Sequence, residues 1–144
     1  MTGSSIAASP PMTILFADPE HGPRSQMAAS LVRAMADADK FDVASAGTAP
    51  GGDLSGVSEV LGERGVSFTP GSRALDISMA PDLLVVVCEE GCAACPYLPR
   101  ADRVLRWPFE DPAHPPGPRL EALRAVVAGL ETRVVELLGA AGER

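Results

Sequence analysis

The sequence predicts an α/β sandwich of three layers built on a four-stranded parallel sheet. Short apolar runs typical of strands alternate along the chain with patterns typical of helices. One run, 83–87, is continuously apolar and mostly β-branched, which is typical of a central strand buried on both faces. Strands that alternate with helices form parallel sheets with right-handed connections, so the whole pattern indicates a single fold class.

The domain boundary is expected near the N-terminus. The first eleven residues are mostly small and polar and end in two prolines, and they lack the charged start and long apolar stretch of a secretory signal. We therefore expect a disordered tail over 1–11 and one domain over 12–144. A chain of 144 residues is long enough to bury a substantial core.

The first half of the chain predicts two strands and two helices. Strands are expected over 12–17 and 41–46, where apolar or alternating residues are bounded by turn signals. A helix is expected from Arg24 to about residue 38, and a second one from Leu54 to about Gly65. In both helices, apolar residues recur at helical spacing and form one face. They are Met27, Leu31, Val32 and Met35 in the first helix, and Leu54, Val57, Val60 and Leu61 in the second.

The second half predicts two more strands and a closing helix. The stretch 66–78 shows no clear period, and the apolar run after it ends at Cys88. A shorter strand over 104–107 is expected at the outside of the sheet, followed by a helix over 119–138. The inner side of that helix is expected to carry Leu120, Leu123, Val127, Leu130, Val134 and Leu137.

Charge and composition exclude several classes of partner. The formal net charge is −7 and Lys40 is the single lysine, which argues against nucleic acid and against an anionic membrane surface. No apolar run approaches the roughly 18 to 20 residues that span a bilayer. Three cysteines, an odd number, fit the reduced cytoplasm better than a disulfide scaffold, so we expect a cytoplasmic protein.

The candidate site is the turn Asp18-Pro19-Glu20-His21-Gly22-Pro23-Arg24, between the first strand and the first helix. In α/β folds, ligands bind where strands end and helices begin. The first N–H groups of a helix point into such a turn, and the guanidinium of Arg24 would suit an oxyanion or a carboxylate. The simpler interpretation is an ordinary strand-to-helix connection in which Asp18 serves as a local cap.

Four segments in order resemble one known family. They are Arg24-Ser25-Gln26-Met27-Ala28, then Ser45-Ala46-Gly47-Thr48, then Cys88 with Cys95-Pro96, and finally Trp107-Pro108-Phe109-Glu110-Asp111-Pro112. Together they resemble the low-molecular-weight protein tyrosine phosphatase superfamily, in particular its thioredoxin-coupled arsenate reductase branch. The resemblance runs from about residue 12 to about residue 138. It implies the low-molecular-weight phosphatase-like sandwich, with Asp18, Arg24, Cys88 and Asp111 converging at the carboxyl edge of the sheet.

The anion loop departs from the family pattern. In the family this loop is Cys-x5-Arg, and its thiolate attacks phosphorus or arsenic; counting back from Arg24, that cysteine falls on Asp18. Pro23 stands where the reductases have a further cysteine, and Glu20 where the family has a glycine. Pro19 and Pro23 each remove one N–H donor. We therefore expect that protein-tyrosine phosphatase and arsenate reductase activities are lost.

The first functional hypothesis is a repurposed enzyme. Asp111 matches the general acid of the family, and two carboxylates in one cleft titrate apart and can exchange protons with a substrate. Asp18 or His21 would serve as the base, Asp111 as the acid and Arg24 as the anchor. The reaction would be an isomerisation, cyclisation or elimination on a small or carrier-bound metabolite, without a cofactor or a metal. The residues expected to bind the ligand are Glu20, Gly22, Ser25 and Trp107.

The second hypothesis is a non-catalytic protein that binds an oxyanion, trivalent arsenic or a protein partner. In the reductases, cysteines at the positions of Cys88 and Cys95 form the resolving pair, so a thiol redox role with thioredoxin as partner is an alternative. Together with Cys92 they would suit a soft metal or trivalent arsenic, or all three would be inert. A deep apolar pocket beside Asp18 would favour the enzyme, and a loop filled by its own side chains the non-catalytic protein.

Overall fold

The four strands of the protein form one parallel sheet. The computed structural model describes residues 10–18, 22–47, 53–71, 74, 76, 78–88, 99–109 and 119–142. Within these residues the elements are β1 (Met12–Asp18), α1 (Pro23–Met35), β2 (Phe41–Gly47), α2 (Val57–Gly62), β3 (Leu83–Cys88), β4 (Arg103–Pro108) and α3 (Arg119–Gly142). The strand order is β2-β1-β3-β4, and every neighbouring pair is parallel. The predicted α/β fold with a four-stranded parallel sheet is confirmed.

Alternation along the two central strands divides the core. Ile14 and Phe16 of β1 belong to a large cluster that also contains buried apolar side chains of α1, α2 and α3. Leu15 and Ala17, their neighbours in sequence, belong to a smaller cluster on the opposite face. In β3, residues 83–87 are all buried and divide between the same two clusters. The prediction that this run is a central strand is therefore confirmed, and β4 lies at the edge as expected.

Helix α1 is shorter than predicted. It ends at Met35 because the chain turns there: the carboxylate of Asp37 accepts the N–H of Asp39 at 2.9 Å, and its carbonyl accepts the N–H of Lys40 at 2.9 Å. The prediction that Met35 lies on the buried face is wrong, since its side chain is 42% exposed. Residues 33–35 are all exposed, so the last turn of α1 extends beyond the elements that cover the rest of the helix.

Helix α2 begins later than predicted, and the stretch after it is irregular. The carboxylate of Asp53 accepts hydrogen bonds from the N–H and hydroxyl of Ser55, and Gly56 has a φ of +86°, so the helix starts only at Val57. No helix is present at the described residues between 66 and 80. Ala74 forms an isolated parallel bridge with Gly47, at the carboxyl end of β2.

Helix α3 is four residues longer than predicted and is tied to the residues around α2. Its inner side is buried at Leu123, Val127, Leu130 and Val134, as predicted. The guanidinium of Arg119 donates to the carbonyls of Asp53 at 2.7 Å and Ser55 at 2.8 Å. Arg124 binds the carboxylate of Glu63 at 2.7 Å and holds the pKa of that carboxyl below its usual value.

No helix in the described ranges is long and apolar enough to cross a membrane.

Candidate functional site

The carboxylate of Asp18 lies inside the turn that the sequence singled out. Its Oδ1 accepts the N–H of Gly22 at 2.9 Å, and its Oδ2 lies 3.1 Å from the same nitrogen. Oδ2 also accepts the N–H of Ser25 at 3.0 Å. The exposed fraction of Asp18 is 0%. Within the described part of the turn, the N–H groups of Gly22 and Ser25 are thus satisfied by a side chain of the chain itself.

Local sequence explains this placement. Asp18 is the last residue of β1 and pairs with Gly47, so it stands at the carboxyl edge of the sheet. Gly22 is the N-cap of α1 and has no side chain with which to cap the helix. Pro23 is the first helical residue, a position at which proline is common. The first N–H groups of a helix carry partial positive charge. Asp18 supplies the missing cap from four residues upstream of Gly22, in the position where a helix start would otherwise bind an anion.

Arg24 is turned into the protein. Its exposed fraction is 2%, and Nη1 donates to the carbonyl oxygen of Phe109 at 3.1 Å. Phe109 directly follows β4 and belongs to the edge of the large core cluster. The guanidinium therefore connects the start of α1 to the end of β4, across 85 residues of sequence.

Ser25 and Gln26 complete the first turn of α1. Ser25 is fully buried, and its hydroxyl has no hydrogen-bond partner within the described residues. The side-chain amide of Gln26 donates to the carbonyl of Gly71 at 2.9 Å and accepts the N–H of Gly71 at 3.0 Å. This is the paired donor-and-acceptor pattern that two neighbouring strands form. The first turn of α1 is thereby attached to β1 through Asp18, to β4 through Phe109 and to the irregular segment through Gly71.

Trp107 lies in the core. The side chain is 5% exposed, and its ring centroid is 5.7 Å from that of Phe16. The side chain thus reaches from β4 across β3 to β1, on the face of the sheet that packs against the helices. Its predicted contact with a ligand stays a prediction.

Five of the residues considered for the site lie outside the described residues: Glu20, His21, Cys92, Cys95 and Asp111. Cys88 ends β3, which neighbours β1 in the sheet with Ala17 opposite Val86. The backbone therefore brings Asp18, Arg24 and Cys88 to the same edge of the sheet.

Two cavities lined by described residues lie elsewhere. One of about 310 Å³ adjoins the amino ends of β1, β3 and β4 and the end of α3; its lining includes Met12, Asp82, Asp102, Arg103 and Leu137. The other, of about 190 Å³, lies beside the first halves of β1 and β2 and is lined in part by Ile14, Asp42 and Met79. Neither cavity includes Asp18 or Arg24 in its lining.

Sequence reasoning missed three residues of this site. Gln26, Gly71 and Phe109 each hold a charged or polar group of the first turn in place. Gln26 did carry a signal, since it belongs to the segment Arg24-Ser25-Gln26-Met27-Ala28 on which the family resemblance rests. Phe109 and Gly71 act through their backbones, for which the sequence has no signal.

Comparison with known proteins agrees with the fold and the motifs. No family model matches the chain. Arsenate reductase 1 of Staphylococcus epidermidis is 31% identical over 124 residues, which cover 83% of this chain and 93% of that protein.

Solved structures give the same result. A crystal structure of an arsenate reductase from Archaeoglobus fulgidus is 34% identical with a TM-score of 0.70, covering 88% of this chain and 98% of the other. A thioredoxin-dependent arsenate reductase from Corynebacterium glutamicum is 26% identical with a TM-score of 0.70, covering 94% of this chain and 64% of the other. By its sequence similarity and its fold, the chain belongs to the superfamily of low-molecular-weight protein tyrosine phosphatases and arsenate reductases.

Proposed function

We propose that this chain is a non-catalytic member of the superfamily, in which Asp18 stands in place of the nucleophilic cysteine and fills the anion loop. One observation carries the proposal: the carboxylate of Asp18 is fully buried and accepts the N–H groups of Gly22 and Ser25. Those donors would otherwise face a bound oxyanion. The loop is thus occupied by a charge of the same sign as its expected ligand.

Electrostatics supports this proposal. Two negative charges about 4 Å apart repel each other by about 4 kcal/mol at an effective dielectric constant near 20. Phosphate or arsenate would have to overcome that repulsion or displace the carboxylate from its hydrogen bonds. Pro19 and Pro23 have no N–H with which to compensate. A free oxyanion is therefore a poor ligand for the loop.

The acid–base enzyme is less well supported by the same geometry. A general base must reach the proton that it removes, to within a hydrogen bond or one water. Asp18 is closed off from solvent, and its oxygens face the backbone of the turn. Catalytic roles for His21 and Asp111 stay predictions, as does a metabolite substrate.

Oxyanion binding distinguishes the closed loop from an open one. We expect the melting temperature of the wild-type protein to be unchanged by millimolar phosphate or arsenate. Asp18→Ala removes the internal charge and leaves two N–H donors for an external anion, so its melting temperature should rise with phosphate. Asp42→Ala makes the same change of charge at an exposed position of β2 and is the matched control. Strong stabilisation of the wild type by phosphate would contradict the proposal.

A thiol redox role is the second candidate. Cys88 ends a central strand at the same edge as the closed loop, and the similar protein from Corynebacterium glutamicum is thioredoxin-dependent. A cytoplasmic location would keep such thiols reduced. Thioredoxin would then be a partner of the thiols even where the loop performs no chemistry.

Mild peroxide is expected to join Cys88 to Cys95 if these thiols are a redox pair, and thioredoxin is expected to reduce the bond. Peptide mapping of the oxidised and the thioredoxin-treated protein measures both steps. Cys92→Ser should leave the disulfide intact, whereas Cys95→Ser should abolish it. Free thiols at both positions after oxidation, or pairing of Cys92, would count against this candidate.

A further inference from the structure

Helix α3 approaches the end of β4 at Gly129. A methyl group placed on Gly129 would lie 2.6 Å from Cε1 of the Phe109 ring and 3.2 Å from its Cζ. Non-bonded carbon atoms do not approach each other to 2.6 Å, so the ring occupies the space that any larger residue would need. The absence of a side chain at position 129 is what allows the aromatic ring to lie directly on the helix.

Phe109 connects this contact to the candidate site. Its ring packs against Gly129, and its carbonyl oxygen accepts a hydrogen bond from Nη1 of Arg24 at 3.1 Å. The ring moves as one rigid plane, so it clears a methyl group either by rotating about its two side-chain bonds or together with its backbone. In the second case the carbonyl that accepts from Arg24 moves with it.

Arg24 depends strongly on such an acceptor. Its exposed fraction is 2%, so water does not solvate the guanidinium, and a buried charge is tolerated only where protein groups replace the water. The next residue, Ser25, donates its N–H to Asp18. Displacing the guanidinium thus disturbs the same helical turn whose N–H groups hold the carboxylate.

We propose that Gly129 and Phe109 are positioning residues for Arg24: the close approach of α3 fixes the Phe109 carbonyl, and that carbonyl fixes the guanidinium at the start of α1. The candidate loop is therefore set in place by a helical residue, Gly129, more than 100 positions away in sequence. These contacts would position Arg24 in a catalytic and in a non-catalytic loop alike, so they are tested without any activity measurement.

The test follows the side-chain ¹H–¹⁵N signals of Arg24 and the hydrogen exchange of the Gly22 and Ser25 amides. Gly129→Ala is expected to shift or broaden the Arg24 signals and to speed amide exchange roughly tenfold or more, the size expected for losing a hydrogen bond to a charged group. Gly139→Ala, in the same helix with open space at its Cβ position, is the matched control and should change neither.

A second pair of variants tests the same contact from the side of Phe109 if Gly129→Ala does not fold. Phe109→Leu removes the ring that rests on Gly129 and should likewise loosen Arg24 and the two amides. Phe41→Leu makes the same change at a partly buried residue of the same core cluster, at the start of β2. If Phe109→Leu lowers stability but leaves the Arg24 signals and amide exchange as in Phe41→Leu, the contact is packing alone and the proposal is overturned.

Discussion

The variant Asp18→Cys is expected to hydrolyse at most traces of p-nitrophenyl phosphate, and the wild-type protein neither to hydrolyse it nor to reduce arsenate. The family reaction needs an attacking thiolate, and the side chain at position 18 is a buried carboxylate. A thiol placed at position 18 still leaves Pro19 and Pro23 without N–H groups. Loss of a single donor to a transition-state oxyanion typically costs about 10²–10³ in rate.

A rebuilt loop provides the comparison for this prediction. A variant that combines Asp18→Cys with Pro19→Ala, Glu20→Gly and Pro23→Ala introduces the thiol and two further N–H donors together. We expect it to exceed Asp18→Cys by at least about 10², the effect of one recovered donor. Release of p-nitrophenol and reduction of arsenate with thioredoxin are the measurements. Robust wild-type turnover that survives Asp18→Ala would show that Asp18 does not close the loop.

Asp18→Ala is expected to lower the free energy of unfolding by about 2–4 kcal/mol, because it leaves the buried N–H groups of Gly22 and Ser25 without their acceptors. Asp18→Asn retains one acceptor oxygen and should cost less. Among the described residues, the side chain of Asp18 caps the start of α1. Asp18→Ala removes this cap, whereas Asp18→Asn keeps part of it.

Urea denaturation followed by circular dichroism measures this loss. Asp42→Ala is again the control, since it removes an exposed carboxylate from the same sheet. Equal unfolding free energies for Asp18→Ala and Asp42→Ala would mean that the carboxylate of Asp18 contributes no stability through its hydrogen bonds. Added phosphate should return part of the stability lost by Asp18→Ala, because an external anion can accept the same two N–H groups.

Local patterns in the sequence were sufficient for the order and type of the elements. The apolar run at 83–87 predicts a strand buried on both faces, because only a central strand of a sheet covered on both sides needs no polar residue. The turn after β1 predicts an anion site, because a helix start exposes N–H groups wherever the strand ends. Membership of the superfamily likewise followed from short motifs at their separations. These features depend on neighbours in sequence.

Boundaries and burial at the ends of the helices did not follow from periodicity. Met35 has the right spacing for the apolar face of α1 but is exposed, because the last turn extends beyond its packing partners. Leu54 has the right spacing for α2, but the turn formed by Asp53, Ser55 and Gly56 delays the helix. Periodicity describes which residues share a face, and only packing decides how far that face is covered.

What the sequence determined by itself is the fold, the superfamily and the position of the loop; what only the tertiary structure decided is how the loop is filled. The sequence has an aspartate at position 18, but its carboxylate points into the turn because the N–H groups at the start of α1 lie there. One acceptor of Arg24 is a backbone carbonyl 85 residues away, in a residue whose ring lies against a glycine of a third element. Backbone atoms are the same in every residue, so no pattern of side chains in the sequence predicts a hydrogen bond to a distant backbone carbonyl.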